Sequence, residues 1–274
     1  MLKTRLIPVL LLKNGILVRS RNFTFHQSMG NHIGQVERFS EWKADEIIYL
    51  DISRDNTYGL DNIKNVIGSS SSQSEVVQNS KKNILDIIAD ISKVCRVPLS
   101  VGGKIKTLED IKKRLSVGAD KVVINSSAID NPEFIKEASK EFGSQCIVVN
   151  VDVKKIKENK WKVFKNFGKE STNLNLINWI EKIQDLGAGE ILIQSIDRDG
   201  TSQGYDLSLL KLISKKIKVP YIFLGGAGSF EDFVDLHKAN KEVSIAAANI
   251  FHFTEQSIIK AKKYMSENKI NVRI

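Results

Sequence analysis

Four aspartates stand where apolar runs give out. Asp152 follows "CIVVNV", Asp51 follows "EIIYL", and Asp197 and Asp199 fall in "SIDRDGT" after "EILIQ". A carboxylate there can take or give a proton beside a bound substrate, or it can cap the next helix or pair with Arg54 or Arg198. Catalysis is the reading for Asp152, and structure for Asp197. Two glycine turns stand in similar places, "GGK" at 102–104 and "GGAG" at 225–228. Without a Cβ, backbone N–H groups come close to a phosphate. Each turn is followed, one run later, by a turn of small residues, "INSS" at 124–127 and "AAAN" at 246–249. Hydroxyls and helix N-termini there complete an anion cup. Two cups predict a substrate with a phosphate at each end, although tight turns between strands and helices need glycine in any case. Lys104 stands where the second copy has Ala227, and either adds a cation to its cup or crowds it.

Asp152 also has a missing counterpart. "RLIPVLLLKNG" at 5–15 laid on "QCIVVNVDVKK" at 145–155, with Lys13 on Lys154, puts Leu11 on Asp152. One half of the chain offers a carboxylate where the other offers a leucine.

The elements that must hold these groups are short apolar runs: Leu6–Leu11, Glu46–Asp51, Leu99–Gly102, Lys121–Asn125, Cys146–Val151, Glu190–Ser195, Tyr221–Gly225 and Val243–Ala247. Most are rich in Ile and Val and lack polar alternation, as parallel strands buried on both faces do. Between them lie helical patterns such as "LEDIKKRLSVG" and "LNLINWIEKIQDLG". Pro132 suits a first helical turn, and Gly118, Gly143 and Gly187 suit helix ends. Eight strands alternating with helices predict an α/β fold, a single (β/α)8 TIM barrel over residues 1–274, with its active face at the C-terminal ends of the strands. The chain repeats itself: "KADEIIYLDISRD" matches "GAGEILIQSIDRD", and "VGGKIKTLEDIKKRL" matches "LGGAGSFEDFVDLHK". With the opening pair, this predicts two half-barrels, about 1–141 and 142–274. A polar, serine-rich insertion at about 56–80 breaks the symmetry and reads either as a flap or as a tolerated insertion.

Of the 274 residues, 42% are hydrophobic and 27% charged, ordinary for a globular chain. The longest apolar run, Leu6–Leu12, is too short to span a bilayer, and no cleavage pattern follows it. The net charge of +9 is spread along helical patterns with few aromatics, which argues against a nucleic-acid binder and for an ordinary solvated basic surface, to which attraction of phosphorylated substrates or an acidic partner protein can be added. Cys95 and Cys146 have neither metal nor redox spacing, so reduced thiols in the cytoplasm are expected, with no metal and no cofactor.

"FGSQCIVV", "GAGEILIQSIDRDGTSQGYD", "GGAG" and the closing "NVRI" make the chain resemble, almost end to end, the cyclase subunit (HisF) family of imidazole glycerol phosphate synthase. The resemblance implies an ammonia-using lyase and cyclase of histidine biosynthesis. A glutaminase (HisH-like) subunit docks on the N-terminal face and sends ammonia through the barrel. The implied substrate is a ribulosyl aminoimidazole carboxamide ribotide with two phosphates. Carried over, Asp152 matches one of two catalytic aspartates, and the other falls on Leu11. The family's lysine after the first strand is Arg19, a glycine of the first phosphate site is Lys104, and a serine of the second is Asn249. Gly103, Asn125 and Ser126 remain for the first phosphate, and Asp199, Gly200, Gly226 and Ala247 for the second. Arg5, Glu46, Lys121 and Glu190 match the ring of charges that gates ammonia. A divergent branch beginning "LLLK" is more similar still. It accompanies glutaminases and a separate amidotransferase that makes acetamidino sugars for surface polysaccharides. Three readings stay open: a cyclase with altered catalysis, an ammonia-conducting subunit for sugar amidination, and a non-catalytic phosphate-binding barrel.

Overall fold

The computed structural model describes residues 3–54, 58, 83–252 and 257–274. The expected insertion at 56–80 lies, apart from Tyr58, outside the described residues. Eight of the apolar runs form parallel strands: β1 (Leu6–Lys13), β4 (Ile47–Asp51), β5 (Leu99–Gly102), β6 (Lys121–Ile124), β7 (Ile147–Lys157), β10 (Glu190–Ser195), β11 (Tyr221–Leu224) and β12 (Ser244–Ala247). They pair in that order, and β12 returns to β1, so the sheet closes into the (β/α)8 barrel. Strands β1 and β7 hold the first and fifth places in the ring and so face each other across it.

Side-chain alternation splits the apolar residues into two cores. Along β1, Leu6, Leu10 and Leu12 point outward to helices such as His32–Glu41 and Ile258–Glu267, where they meet Phe39 and Met265. Ile7, Val9 and Leu11 point inward, with Ile48, Val123, Val148, Leu192, Ile222 and Ala246. Burial on both faces explains why the runs lack polar alternation. Helices Ile84–Ser92, Leu108–Ser116 and Phe230–Ala239 begin at capping boxes formed by Asn83 with Asp86, Thr107 with Asp110 and Ser229 with Asp232.

Two strands depart from the sequence reading. β1 continues past Leu11, and β7 past Val151, so Asp152 does not end its strand. Each runs on into an antiparallel ribbon. β1 turns through Asn14 (φ 52°) and Gly15 (φ 79°) into β2 (Ile16–Arg21) and β3 (Phe25–Ser28). An Asn-Gly pair at left-handed φ is the preferred two-residue hairpin turn. β7 turns at Glu158 and Asn159 (φ 54°) into β8 (Lys160–Lys165) and the short β9 (Glu170–Ser171). Trp161 anchors this second ribbon, its Nε1 donating to Asp206 Oδ2 at 2.8 Å. The strands that open the two expected halves thus share one device, in keeping with an internal repeat.

Candidate functional site

Asp152 lies on the inward face of β7, two residues beyond Asn150 and four beyond Val148. It is 4% exposed. Asn150 Nδ2 donates to Oδ1 at 2.9 Å, and Asn125 Nδ2 donates to Oδ2 at 2.8 Å. Burial pushes its pKa up to about 7; the two amide donors oppose the rise and Asp199 adds to it. The group can therefore take or give a proton near neutral pH. Leu11, 6% exposed, stands on the facing wall among Val9, Val18 and Leu50, and borders the same mouth cavity as Asp152.

The shift has a measurable consequence for stability. A carboxyl whose folded pKa is raised keeps a proton that the unfolded chain loses near pH 4. Its stabilising contribution is present below the unfolded value and lost as pH rises through about 7. Asp152→Asn cannot lose that proton. Measured by urea unfolding, the variant should gain on the unmodified chain between pH 4 and pH 8, by up to about 4 kcal/mol. A difference independent of pH would contradict the assignment.

The first cup is built on Gly103 at φ 105°, where an added Cβ would meet the Asp51 carbonyl oxygen at 2.2 Å. Gly103→Ala should cost about 1–3 kcal/mol in unfolding free energy, by backbone strain at a left-handed position. Arg114 Nη2 donates to the Gly103 carbonyl at 2.9 Å and holds the turn. Lys104 borders the mouth cavity beside this turn. Its Nζ sits 3.2 Å from Asp51 Oδ2 and 5.4 Å from the Tyr58 ring centre. Asn125 precedes the helix Ser126–Asp130 without a side-chain cap bond to it, and its Nδ2 serves Asp152. Ser126 Oγ accepts from Asn166 N at 3.0 Å, which ties the second ribbon to this cup.

Of the residues expected at the second cup, Asp199, Gly200 and Asn249 all meet the first ribbon. Asp199 accepts from Ser20 Oγ at 2.8 Å and Phe23 N at 3.2 Å, and Asn249 Nδ2 donates to the Ser20 carbonyl at 2.7 Å. A Cβ on Gly200 would fall 2.2 Å from the same carbonyl, and one on Gly226 2.1 Å from the Gly204 carbonyl. Burial raises the Asp199 pKa, opposed by its Ser20 and Phe23 donors. Ala247 closes β12 and is buried. Arg19 lies on the ribbon, its Nε 2.9 Å from Gln27 Oε1 on the paired strand. Asp197, read as structural, accepts from Lys155 N at 2.5 Å and holds the second ribbon. The mouth cavity borders Gly103, Lys104, Asn125 and Ser126 of the first cup.

At the other end of the barrel, Arg5, Glu46, Lys121 and Glu190 close a four-membered ring. Arg5 Nη1 is 2.9 Å from Glu46 Oε2, Lys121 Nζ is 2.9 Å from the same oxygen and 2.7 Å from Glu190 Oε2, and Arg5 Nη2 bonds Glu190 Oε1. Ser100 Oγ donates to Glu46 at 2.6 Å, and Arg5 Nε donates to Ser244 Oγ at 3.0 Å. Burial alone would raise the Glu190 pKa, but Arg5 and Lys121 hold it below the ordinary carboxylate value. Along the axis a charged ring, an apolar middle and a polar mouth follow one another.

The sequence reading missed Asn150, the interior asparagine that binds Asp152. Its signal was present, a lone polar residue in "IVVNV". It also missed Lys13 with His26, and Ser100 and Ser244 beside the ring.

Fold and site together define a closed (β/α)8 barrel with a titratable mouth at the C-terminal strand ends and a charge ring at the opposite end. The chain belongs to the histidine biosynthesis protein family, whose profile matches residues 73–257, and within it to the HisF branch. It is 39% identical over 274 residues, all of this chain and all of the relative, to "Imidazole glycerol phosphate synthase subunit HisF" of Hydrogenobaculum sp. (strain Y04AAS1). Among the described residues no helix is long and apolar enough to cross a membrane.

Proposed function

We propose that this chain is the HisF-type lyase and cyclase subunit of a glutamine amidotransferase complex of the imidazole glycerol phosphate synthase kind. The observation that carries the reading is Asp152, a buried carboxyl whose pKa burial raises to about 7, bordering one mouth cavity with Gly103, Asn125 and Ser126 in a barrel whose opposite end holds a closed charge ring. Ammonia from a HisH-like glutaminase on the N-terminal face passes the ring of Arg5, Glu46, Lys121 and Glu190 and the apolar interior. It meets a ribulosyl aminoimidazole carboxamide ribotide whose phosphates occupy the two cups. Gly103, Lys104, Asn125 and Ser126 form one cup, and Asp199, Gly200, Gly226, Ala247 and Asn249 the other. Cleavage and ring closure then need only proton transfers, which Asp152 serves, and no cofactor. The chain should rescue growth of a histidine auxotroph lacking its cyclase subunit; failure of a soluble, expressed chain to do so counts against the reading.

Leu11 favours a second reading, in which the barrel conducts ammonia to a separate sugar amidotransferase. A leucine cannot exchange a proton, and losing one positioned acid or base costs about 10²–10⁴-fold in rate. If position 11 limits ring closure, Leu11→Asp should raise ammonium-supported turnover about tenfold or more. An unchanged rate would show that another group already serves there.

A further inference from the structure

β1 carries one more side chain on the face of Leu11. Lys13 lies two residues on and borders the mouth cavity together with Leu11 and Asp152. Its Nζ is 3.0 Å from His26 Nδ1, which is brought there by the ribbon: His26 on β3 pairs with Ser20 on β2. His26 is 9% exposed. No described carboxylate forms an ion pair with Lys13. Asp51, at the end of neighbouring β4, is taken by Lys104, Tyr58 and Ser53. The other charge felt by Lys13 is Arg54, just beyond β4.

We propose that Lys13 and His26 form a second acid–base group of the mouth, on the wall opposite Asp152, in place of the carboxylate that Leu11 lacks. The proposal rests on the cyclase reading. Burial, and then Arg54, lower the Lys13 pKa. Burial, and then Lys13, lower that of His26 to about 4, so the imidazole is neutral and accepts from the lysine ammonium. A desolvated lysine beside another cation is a recognised way to bring an amine toward neutral pH. The protons balance without any redox step. The Lys13 ammonium gives a proton to a leaving nitrogen or oxygen of the substrate, Asp152 takes one from the attacking nitrogen, and water returns each group to its starting state. Two groups of opposite charge on facing walls can act together, one as acid and one as base.

The full-length chain tests this with pyridoxal 5′-phosphate, an aldehyde carrying a phosphate. A neutral amine condenses with it to an imine and water, and borohydride hydride reduces the imine to a stable secondary amine that mass spectrometry locates. At pH 7.5 Lys13 should be labelled at least tenfold faster than Lys104 or the helical Lys112, and inorganic phosphate should protect it. Labelling no faster than that of Lys112 overturns the proposal. In ammonium-supported turnover, Lys13→Met and the charge-keeping Lys13→Arg should each lose a hundredfold or more, and His26→Gln should shift the basic limb of the pH profile. Full activity in Lys13→Arg overturns the proton-transfer role. If the unmodified chain turns nothing over, the cyclase reading fails, and labelling alone decides whether the reactive amine exists.

Discussion

Asp152→Asn should lower turnover by about 10²–10⁴-fold, while binding of a doubly phosphorylated ligand should be retained. The substitution preserves shape and leaves the neighbouring amides in place. Asn150 and Asn125 donate to one carboxylate oxygen each, so the asparagine that replaces Asp152 can accept from one of them through its remaining oxygen. What it cannot do is exchange a proton. Gly103, Gly200 and Gly226 are each packed too closely for a side chain, and Asn125, the cup residue that donates to Asp152, keeps an oxygen to donate to. The loss should therefore fall on kcat. A comparable rise in KM with kcat unchanged would mean that Asp152 binds substrate instead of moving protons.

Glu46→Ala is expected to give the second large effect. Glu46 is 2% exposed and holds Arg5, Lys121 and Ser100 at once. Its removal leaves two cations sharing Glu190 alone. Taking one partner from a buried charge pair costs about 3–5 kcal/mol. The low end is expected here, because the side chains of Arg5 and Lys121 are 28% and 20% exposed and water screens them. Unfolding in urea measures that cost. Function should divide. With the glutaminase present, activity from glutamine falls, because the entry is no longer a closed neutral ring, while activity with added ammonium persists. Ser244→Ala, which removes only the hydroxyl beside Arg5, should leave the two activities in their original ratio. Equal loss of both activities in Glu46→Ala would place the ring in general stability and not in ammonia passage.

The barrel was legible because its strands are buried twice. Residues such as Ile7 and Leu6 face two separate cores, and this leaves the continuous Ile, Leu and Val runs that parallel strands show. The ribbons were not read. β7 leaves its buried run through the exposed Lys154–Lys157 before it turns, and β1 turns at the Asn14-Gly15 pair, a hairpin signal that the sequence carries. The ring depends on topology. Arg5, Glu46, Lys121 and Glu190 stand at the starts of four runs with no spacing that joins them, and only the family resemblance linked them before the barrel closed. The pairing of Lys104 with Asp51 joins a glycine turn to the end of the neighbouring strand and likewise has no local signal. The Lys13–His26 contact joins β1 to β3 through a ribbon whose register no local pattern supplies.

The measurement that bears most directly on the account is ammonium-supported turnover of the ribulosyl aminoimidazole carboxamide ribotide by the purified chain, without glutaminase, followed by chromatographic detection of imidazole glycerol phosphate. Product is expected from the unmodified chain and none above background from Asp152→Asn. Substrate that binds and stays intact, with no imidazole product at any ammonium concentration, would contradict it and leave the barrel as a conduit whose acceptor lies in another protein.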